Sequence, residues 1–301
     1  MCRVFMYIGE PEYIDKFLYA PDSSLVKQTY SPQYMQMINL AGFGMVAWHY
    51  DKATPLVYKS LDMPFFDKNL ENVSNTTKAH CMIAHIRGVT LDSSSVVSET
   101  NIHPFLDQGA NLAFAHNGAL YGIEKMIPDL VKIIPTELVS NIRGTTDTEW
   151  MHALFLSQLD SPDDQHDLKK VKLAVYKMLS VIKRLRAKLK ITLPSAINLF
   201  LTNGSFLVAL RYYYDFGVYS DEVDEAHLVY HSMWFTFGHR YKKIEGEYQM
   251  TKGDRSSLIL ASEPLTKDTT SWLQVPQYSI MSVEGSAGNL KINTEEVRLN
   301  D

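Results

Sequence analysis

The feature that most limits the folds open to this chain is a helical stretch set between two groups of short apolar segments. Residues 148–159 place Trp150, Leu154 and Phe155 on one side, with Met151 close by. Residues 167–189 repeat apolar side chains at Val171, Val175, Met178, Ile182, Leu185 and Leu189. Spacings of three and four put such residues on one face of an α-helix. Pro194 closes the helical region. Before it come residues 3–8, 44–48, 79–85 and 112–116, whose near-continuous apolar character suits strands covered on both faces. After it, residues 196–201 and 205–210 flank Thr202-Asn203-Gly204 and predict a β-hairpin. Further strand runs are 228–237, 257–261 and 278–283. Strands, then helices, then strands predict two sheets sandwiched by helices. No repeat, linker or boundary is visible, so residues 1–301 are expected to form one domain.

The 301 residues suffice for a substantial core without disulfides or metals. Lys and Arg number 29 against 34 Asp and Glu, a formal charge of −5, which argues against a dedicated nucleic-acid binder or an anionic membrane surface. Only two cysteines occur, Cys2 and Cys81, which favours a reducing compartment. Neither a signal h-region nor a run of about 20 apolar residues is present. A cytoplasmic protein is expected.

Cys2 carries the first chemical suggestion. Removal of Met1, which is favoured before a small residue, would leave a thiol beside a free α-amine. Such an amine has a pKa of roughly 7.7–8.0, so part of it is neutral and can accept a proton. Thiols titrate near about 8.5 and react as thiolates, so one residue could hold both nucleophile and general base. By position alone, an ordinary N-terminal strand residue is the blander alternative.

Three other segments change that balance. Phe114-Ala115-His116-Asn117-Gly118 leads from a strand into a polar turn, where an Asn amide and a Gly N–H could share one oxyanion. Asn-Gly is also favoured in any turn. His85-Ile86-Arg87-Gly88-Val89-Thr90 sets an Arg past an apolar strand, where it could clamp a carboxylate or simply face solvent. Gly144-Thr145-Thr146-Asp147-Thr148-Glu149 precedes a helix, which its acidic residues could cap. A carboxylate there could instead hold an ammonium group opposite the Arg.

Taken in order, Met1-Cys2, His85-Ile86-Arg87-Gly88-Val89-Thr90, Asn101-Ile102-His103-Pro104-Phe105, Ala115-His116-Asn117-Gly118 and Gly144-Thr145-Thr146-Asp147-Thr148-Glu149 resemble the glutaminase domain of class II glutamine amidotransferases. The likeness is to the stand-alone branch and continues through Gly42-Phe43-Gly44, Trp48, Asn203-Gly204-Ser205, Leu260-Ala261-Ser262-Glu263-Pro264-Leu265, Trp272 and Val275-Pro276. Where relatives often have Arg-Ala and Asp-Ser, this chain has Arg87-Gly88 and Asp147-Thr148. The resemblance implies an α+β fold, the αββα four-layer sandwich of N-terminal-nucleophile (Ntn) hydrolases. It implies Cys2 as nucleophile with its own amine as base, and Asn117 and Gly118 as the oxyanion hole. Arg87 would bind the α-carboxylate and Asp147 the α-ammonium of a γ-glutamyl group, with Thr90 and His103 lining or supporting the pocket.

The implied reaction is hydrolysis of a γ-glutamyl amide, of glutamine or of a γ-glutamyl peptide or amine, through a Cys2 thioester, with no metal or cofactor. One alternative is a glutaminase subunit that delivers ammonia to a separate synthase partner. Another is a catalytically silent interaction module, which has no need of Cys2, Arg87, Asn117 and Asp147 together. Activity of the isolated chain and co-purification of a partner separate these readings. A separate synthase or peptidase subunit and a homodimer both stay open.

Elsewhere the bland alternatives prevail. His80, His85, His103 and His116 show no zinc spacing and suit hydrogen-bonded strand positions. Cys81 is expected in the core. The basic run 183–190 is expected to face solvent at a helix C-terminus. Arg211-Tyr212-Tyr213-Tyr214 is expected as a packed strand end.

Overall fold

The computed structural model describes residues 2–34, 38–52, 54–89, 96–106, 111–215 and 232–299. Its strands are β1 (Arg3–Tyr13), β2 (Phe43–Trp48), β3 (Leu56–Ser60), β4 (Lys78–Ile86), β5 (Ala113–His116), β6 (Ser195–Thr202), β7 (Phe206–Tyr214), β8 (Trp234–Gly238), β9 (Tyr241–Ile244), β10 (Glu247–Met250), β11 (Ser257–Ala261), β12 (Leu273–Gln274), β13 (Ser279–Glu284) and β14 (Lys291–Glu296). The α-helices are α1 (Asp15–Leu18), α2 (Lys68–Thr76), α3 (Ile123–Ile133), α4 (Thr136–Ser140), α5 (Asp147–Leu156) and α6 (Leu168–Lys188).

Two antiparallel sheets follow from the pairing. One runs β12-β8-β11-β1-β4-β2-β3, the other β14-β13-β7-β6-β5, and β9 pairs with β10 as a separate ribbon. Side chains alternate between the faces of a strand, and that alternation sorts the apolar residues into three cores. Along β1, Val4, Met6 and Ile8 point between the sheets, while Phe5 and Tyr7 point outward. Along β7, Leu207 and Ala209 point inward, while Val208 and Leu210 meet α5 and α6. The outer face of the first sheet is covered by α1, α2 and the β9–β10 ribbon. The expected αββα sandwich is therefore the fold, with one helical layer much thinner than the other.

The expected strands 3–8, 44–48, 79–85, 112–116, 196–201, 205–210, 257–261 and 278–283 coincide with β1, β2, β4, β5, β6, β7, β11 and β13. Of the run 228–237, residues 228–231 lie outside the described residues, and the strand observed is Trp234–Gly238. The two expected helices are α5 and α6, the latter capped by Asp167, whose carboxylate accepts the N–H groups of Lys169 and Lys170. The hairpin joins β6 to β7 with Gly204 at φ 90°, a conformation that glycine adopts without penalty.

The basic run is not wholly solvent-facing. Arg186 is buried, pairs with Asp215 at 2.6 Å and donates to the Leu193 carbonyl and Ser195 Oγ. Its position on the apolar stripe of α6 explains this: the guanidinium ties the helix C-terminus to β6 and β7. Arg211 is buried at its strand end, donating to Tyr213 Oη and the Val275 carbonyl.

Phe200 sits fully buried between the two sheets. Replacing it with Ala should cost about 3–5 kcal/mol through lost burial and an unfilled cavity. Chemical denaturation checks this; a loss under about 1 kcal/mol would show that the inter-sheet core relaxes around the gap.

Candidate active site

The register of β1 explains where Cys2 stands. Arg3 pairs with Ile86 across the β1–β4 ladder, so Cys2, one residue earlier, lies at the same sheet end as Arg87 and Gly88. The Gly88 N–H points at Cys2 Sγ from 3.4 Å, and Sγ lies 3.7 Å from the Gly88 carbonyl. Cys2 is partly exposed and unbridged.

Arg87 leaves β4 with its N–H on the Gly42 carbonyl and its own carbonyl accepting from Ala41 N–H. Its side chain is largely buried and donates from Nη1 to the Val96 carbonyl at 2.7 Å. Burial lowers the guanidinium pKa, and the charges of Cys2 and then Asp147 oppose that shift. Arginine remains charged regardless, so a buried cation faces both groups.

The second sheet supplies the other half. Past the end of β5, Asn117 N–H donates to the Asn198 carbonyl and Ala119 N–H to the Ala196 carbonyl, which holds Asn117 and Gly118 along β6. A side chain at position 118 would collide with the Ala196 carbonyl oxygen and His116 Nε2, so this close approach requires glycine. Asn117 is buried and its Oδ1 has no hydrogen-bond partner.

Asp147 opens α5, behind the cap Thr146, whose side chain accepts from Glu149 N–H. Its Oδ2 accepts the Leu120 N–H at 2.7 Å, and its Oδ1 accepts from Thr148 Oγ1. Two of its lone pairs are thus committed to holding the turn. Asn101 ties that turn to the segment after Val96: Oδ1 accepts Thr145 N–H, and Nδ2 donates to the Val96 carbonyl that Arg87 also uses.

His103 lies beneath this end of the sandwich, before a cis bond to Pro104, with its ring 4.3 Å from that of His85. Neither of its ring nitrogens has a hydrogen-bond partner. Burial, then the charge on His85, drives its pKa far down, so it is a neutral floor. Thr90 lies outside the described residues. Cys2, Arg87, Asn117, Gly118 and Asp147 are thus held by the adjoining strand ends and by the turn into α5. Among the described residues, no group of three or more His, Cys, Asp and Glu is placed to hold a metal ion.

Glu263, within the motif spanning residues 260–265, lies outside the residues expected at the site. It forms a buried ion pair with Arg3 at 3.3 Å, the side chains 2% and 4% exposed. Glu263 also accepts the N–H groups of Gln33 and Tyr34, and Arg3 Nη1 donates to the Cys2 carbonyl. A charged residue at the start of β1 and one of opposite sign just past β11, each beside an apolar run, were the signal available for this pair.

The two-sheet sandwich, with Cys2 at the end of a central strand, has the architecture of an Ntn-type amidohydrolase. A family model described as "Glutamine amidotransferases class-II" matches residues 67–299. The chain belongs to the class II glutamine amidotransferases. It is 30% identical over 308 residues to "Probable glutamine amidotransferase DUG3" of Saccharomyces cerevisiae, covering 94% of this chain and 82% of the yeast protein. It is 27% identical over 122 residues to a gamma-glutamyl-hercynylcysteine sulfoxide hydrolase of Mycobacterium tuberculosis, covering 40% of this chain and 50% of that one. Among solved structures, a glutamine aminotransferase class-II domain protein from Silicibacter pomeroyi aligns over all of both chains with a TM-score of 0.63 and 19% identity. The glutamine phosphoribosylpyrophosphate amidotransferase of B. subtilis aligns over 99% of this chain and 50% of its own, with a TM-score of 0.60 and 17% identity.

Three histidines under and beside the site make stability depend on pH. Burial pulls His85 down to about 3 and His152 to about 4, and holds His103 well below its ordinary value. Unfolded, each titrates near about 6.5. Between those values the unfolded chain binds more protons, so their contribution is complete above about 6.5 and is lost as pH falls. The denaturation midpoint should drop between pH 7.5 and 5, and the drop should shrink in His152→Phe. An equal drop in that variant would remove His152 from the account.

Proposed function

We propose that the chain, once Met1 is removed, hydrolyses γ-glutamyl amide bonds through a covalent intermediate on Cys2. The observation that carries this reading is the Cys2 sulfur against the Gly88 N–H, beside a buried Arg87 whose charge is felt by both Cys2 and Asp147. Arg87 and Asp147 form a pair of opposite charges suited to the carboxylate and ammonium of one amino-acid end. Arg87 has N–H groups beyond the one on Val96 to offer a carboxylate bidentately.

In this reading the Cys2 sulfur attacks the γ-carbonyl carbon while its proton passes to the Cys2 α-amine. The Asn117 amide and Gly118 N–H hold the resulting oxyanion, an interaction worth about 3–4 kcal/mol in the transition state. The C–N bond then breaks as the leaving nitrogen takes the proton from the α-ammonium. A water adds to the thioester carbonyl, giving a proton to the amine; the C–S bond then breaks, the sulfur takes that proton back from the α-ammonium, and glutamate departs. His103 stays neutral beneath the site and takes no proton at working pH.

We read residues 1–301 as one glutaminase domain, which is supported by the pairing of β1 with β11 and the family match to residue 299. A cytoplasmic setting fits two unbridged cysteines. Among the described residues no helix is long and apolar enough to cross a membrane. A small γ-glutamyl compound is the substrate class. The yeast and mycobacterial names support hydrolysis of such bonds over a silent interaction role.

Purified, Met1-processed protein should release glutamate from glutamine or from a panel of γ-glutamyl peptides and amines. Cys2→Ala should abolish release, Asn117→Ala should lower kcat by about 10²–10³-fold, and Arg87→Lys should mainly raise KM. Unchanged release by Cys2→Ala sinks the reading. Activity that appears only with a co-purified synthase would assign the chain to an ammonia-delivering subunit instead.

A further inference from the structure

The two charged groups proposed to grip the amino-acid end of the substrate come from distant parts of the chain. Arg87 lies just past β4, and Asp147 opens α5. A short path of hydrogen bonds relates one to the other, and it runs through a single side chain, that of Asn101.

Asn101 is fully buried at the end of a 3-10 turn, Glu99–Asn101, that Ser98 caps. Its backbone N–H donates to the Ser98 carbonyl, so the residue is fixed before its side chain makes any contact. The amide then engages its oxygen and both of its N–H groups. Oδ1 accepts the Thr145 N–H at 2.8 Å, while Nδ2 donates to the Val96 carbonyl at 3.0 Å and to Thr145 Oγ1 at 3.1 Å. A backbone N–H on one side and a carbonyl on the other allow only this orientation of the amide.

Each end of the amide leads to one of the charged groups. The Val96 carbonyl also accepts from Arg87 Nη1 at 2.7 Å, so the guanidinium and Asn101 meet on one oxygen, which has two lone pairs to give. Thr145 stands two residues before Asp147, in a turn closed by the Thr146 cap and fastened where Asp147 takes the Leu120 N–H. An α-amino acid carries its ammonium and carboxylate on one carbon. A receptor for both must therefore hold its own two charges at a matching separation, and a misplacement of about 1 Å is enough to lose the fit. A ligand with only one of the charges can follow a displaced partner, whereas a ligand that bridges both cannot.

We propose that Asn101 is a positioning residue that sets the separation between the Arg87 guanidinium and the Asp147 carboxylate, so that the site selects ligands bearing an ammonium and a carboxylate on one carbon. This rests on the γ-glutamyl reading above. Asn101 touches no substrate in this scheme; it acts through the Val96 carbonyl and through Thr145.

Isothermal titration calorimetry of the Met1-processed Cys2→Ala protein tests this with three ligands. They are L-glutamate, the product common to every γ-glutamyl substrate; glutarate, which lacks the ammonium; and 4-aminobutyrate, which lacks the α-carboxylate. The Cys2→Ala protein should hold glutamate about tenfold or more tighter than either half-ligand. Adding Asn101→Ala should weaken glutamate by about tenfold or more, and shift glutarate and 4-aminobutyrate by less than about threefold. A purely structural tie would weaken all three alike, and that result overturns the proposal. If Asn101→Ala fails to fold, Asn101→Ser decides by the same comparison, since its short hydroxyl cannot reach both partners. Glutamate held no better than the half-ligands before Asn101 is changed would remove Arg87 and Asp147 as a pair, and this inference with them. Glutamate held well by the Cys2→Ala protein and equally well after the change sinks this inference alone.

Discussion

The arrangement depends first on how the start of the chain is fastened. Cys2 directly precedes β1, so its position is set by how that strand is held. Here β1 lies between β11 and β4 at the centre of a seven-stranded sheet. Its first charged residue is locked to Glu263 in a nearly dry environment. Ser262 adds to this: its N–H donates to the Val4 carbonyl and its Oγ accepts the Val4 N–H. Removing one member of a buried pair typically costs about 3–5 kcal/mol because it strands the other charge. The pair is therefore less a source of net stability than a device of position. Whatever Cys2 does, it does from a fixed backbone.

Two sheets then share the work. The first brings Cys2, Arg87 and Gly88 to one end through the β1–β4 register. The second brings Asn117 and Gly118 through the hydrogen bonds that continue β5 along β6. Between them lie His85 and His103, packed ring against ring. Burial keeps both imidazoles uncharged, so they act as rigid polar spacers and not as competing bases. That division fits the proposed chemistry, in which the base is the nucleophile's own amine and any nearby imidazole need only stay out of the proton transfer.

Much of this was legible because the strands carry apolar runs, α6 carries a clear period and α5 is apolar along most of its length. Two elements that escaped lack those signals. β3 is Leu-Val-Tyr-Lys-Ser, a half-exposed edge strand too short to show its alternation clearly. α2 buries only Leu70 and Ser74 and depends on the Asp67 cap. α3 has a clear apolar stripe but contains Pro128, a residue that ordinarily breaks a helix, although this helix runs through it. The site segments were legible as local motifs, whereas their mutual placement rests on pairings between residues far apart in the chain. Arg3 with Glu263 and Asn101 with Thr145 are cases that periodicity cannot reveal. Arg186 shows the converse error: a basic run looks solvated until tertiary packing folds one of its members against β6 and β7.

The turn before α5 shows how one short motif serves several demands at once. Thr146 caps the helix, and Asp147 spends oxygens on Leu120 N–H and Thr148 Oγ1. Glu149 closes the turn from below by taking the Arg143 and Gly144 N–H groups. Each carboxylate is thus anchored through one oxygen or more by groups that cannot move without breaking the helix start. A carboxylate fixed in that way loses little further freedom when a ligand ammonium meets its remaining lone pairs, so the free-energy cost of ordering the site is met during folding instead of during binding. That fixity suits Asp147 to the proposed role of holding an ammonium while Arg87, a buried cation that feels its charge, holds a carboxylate.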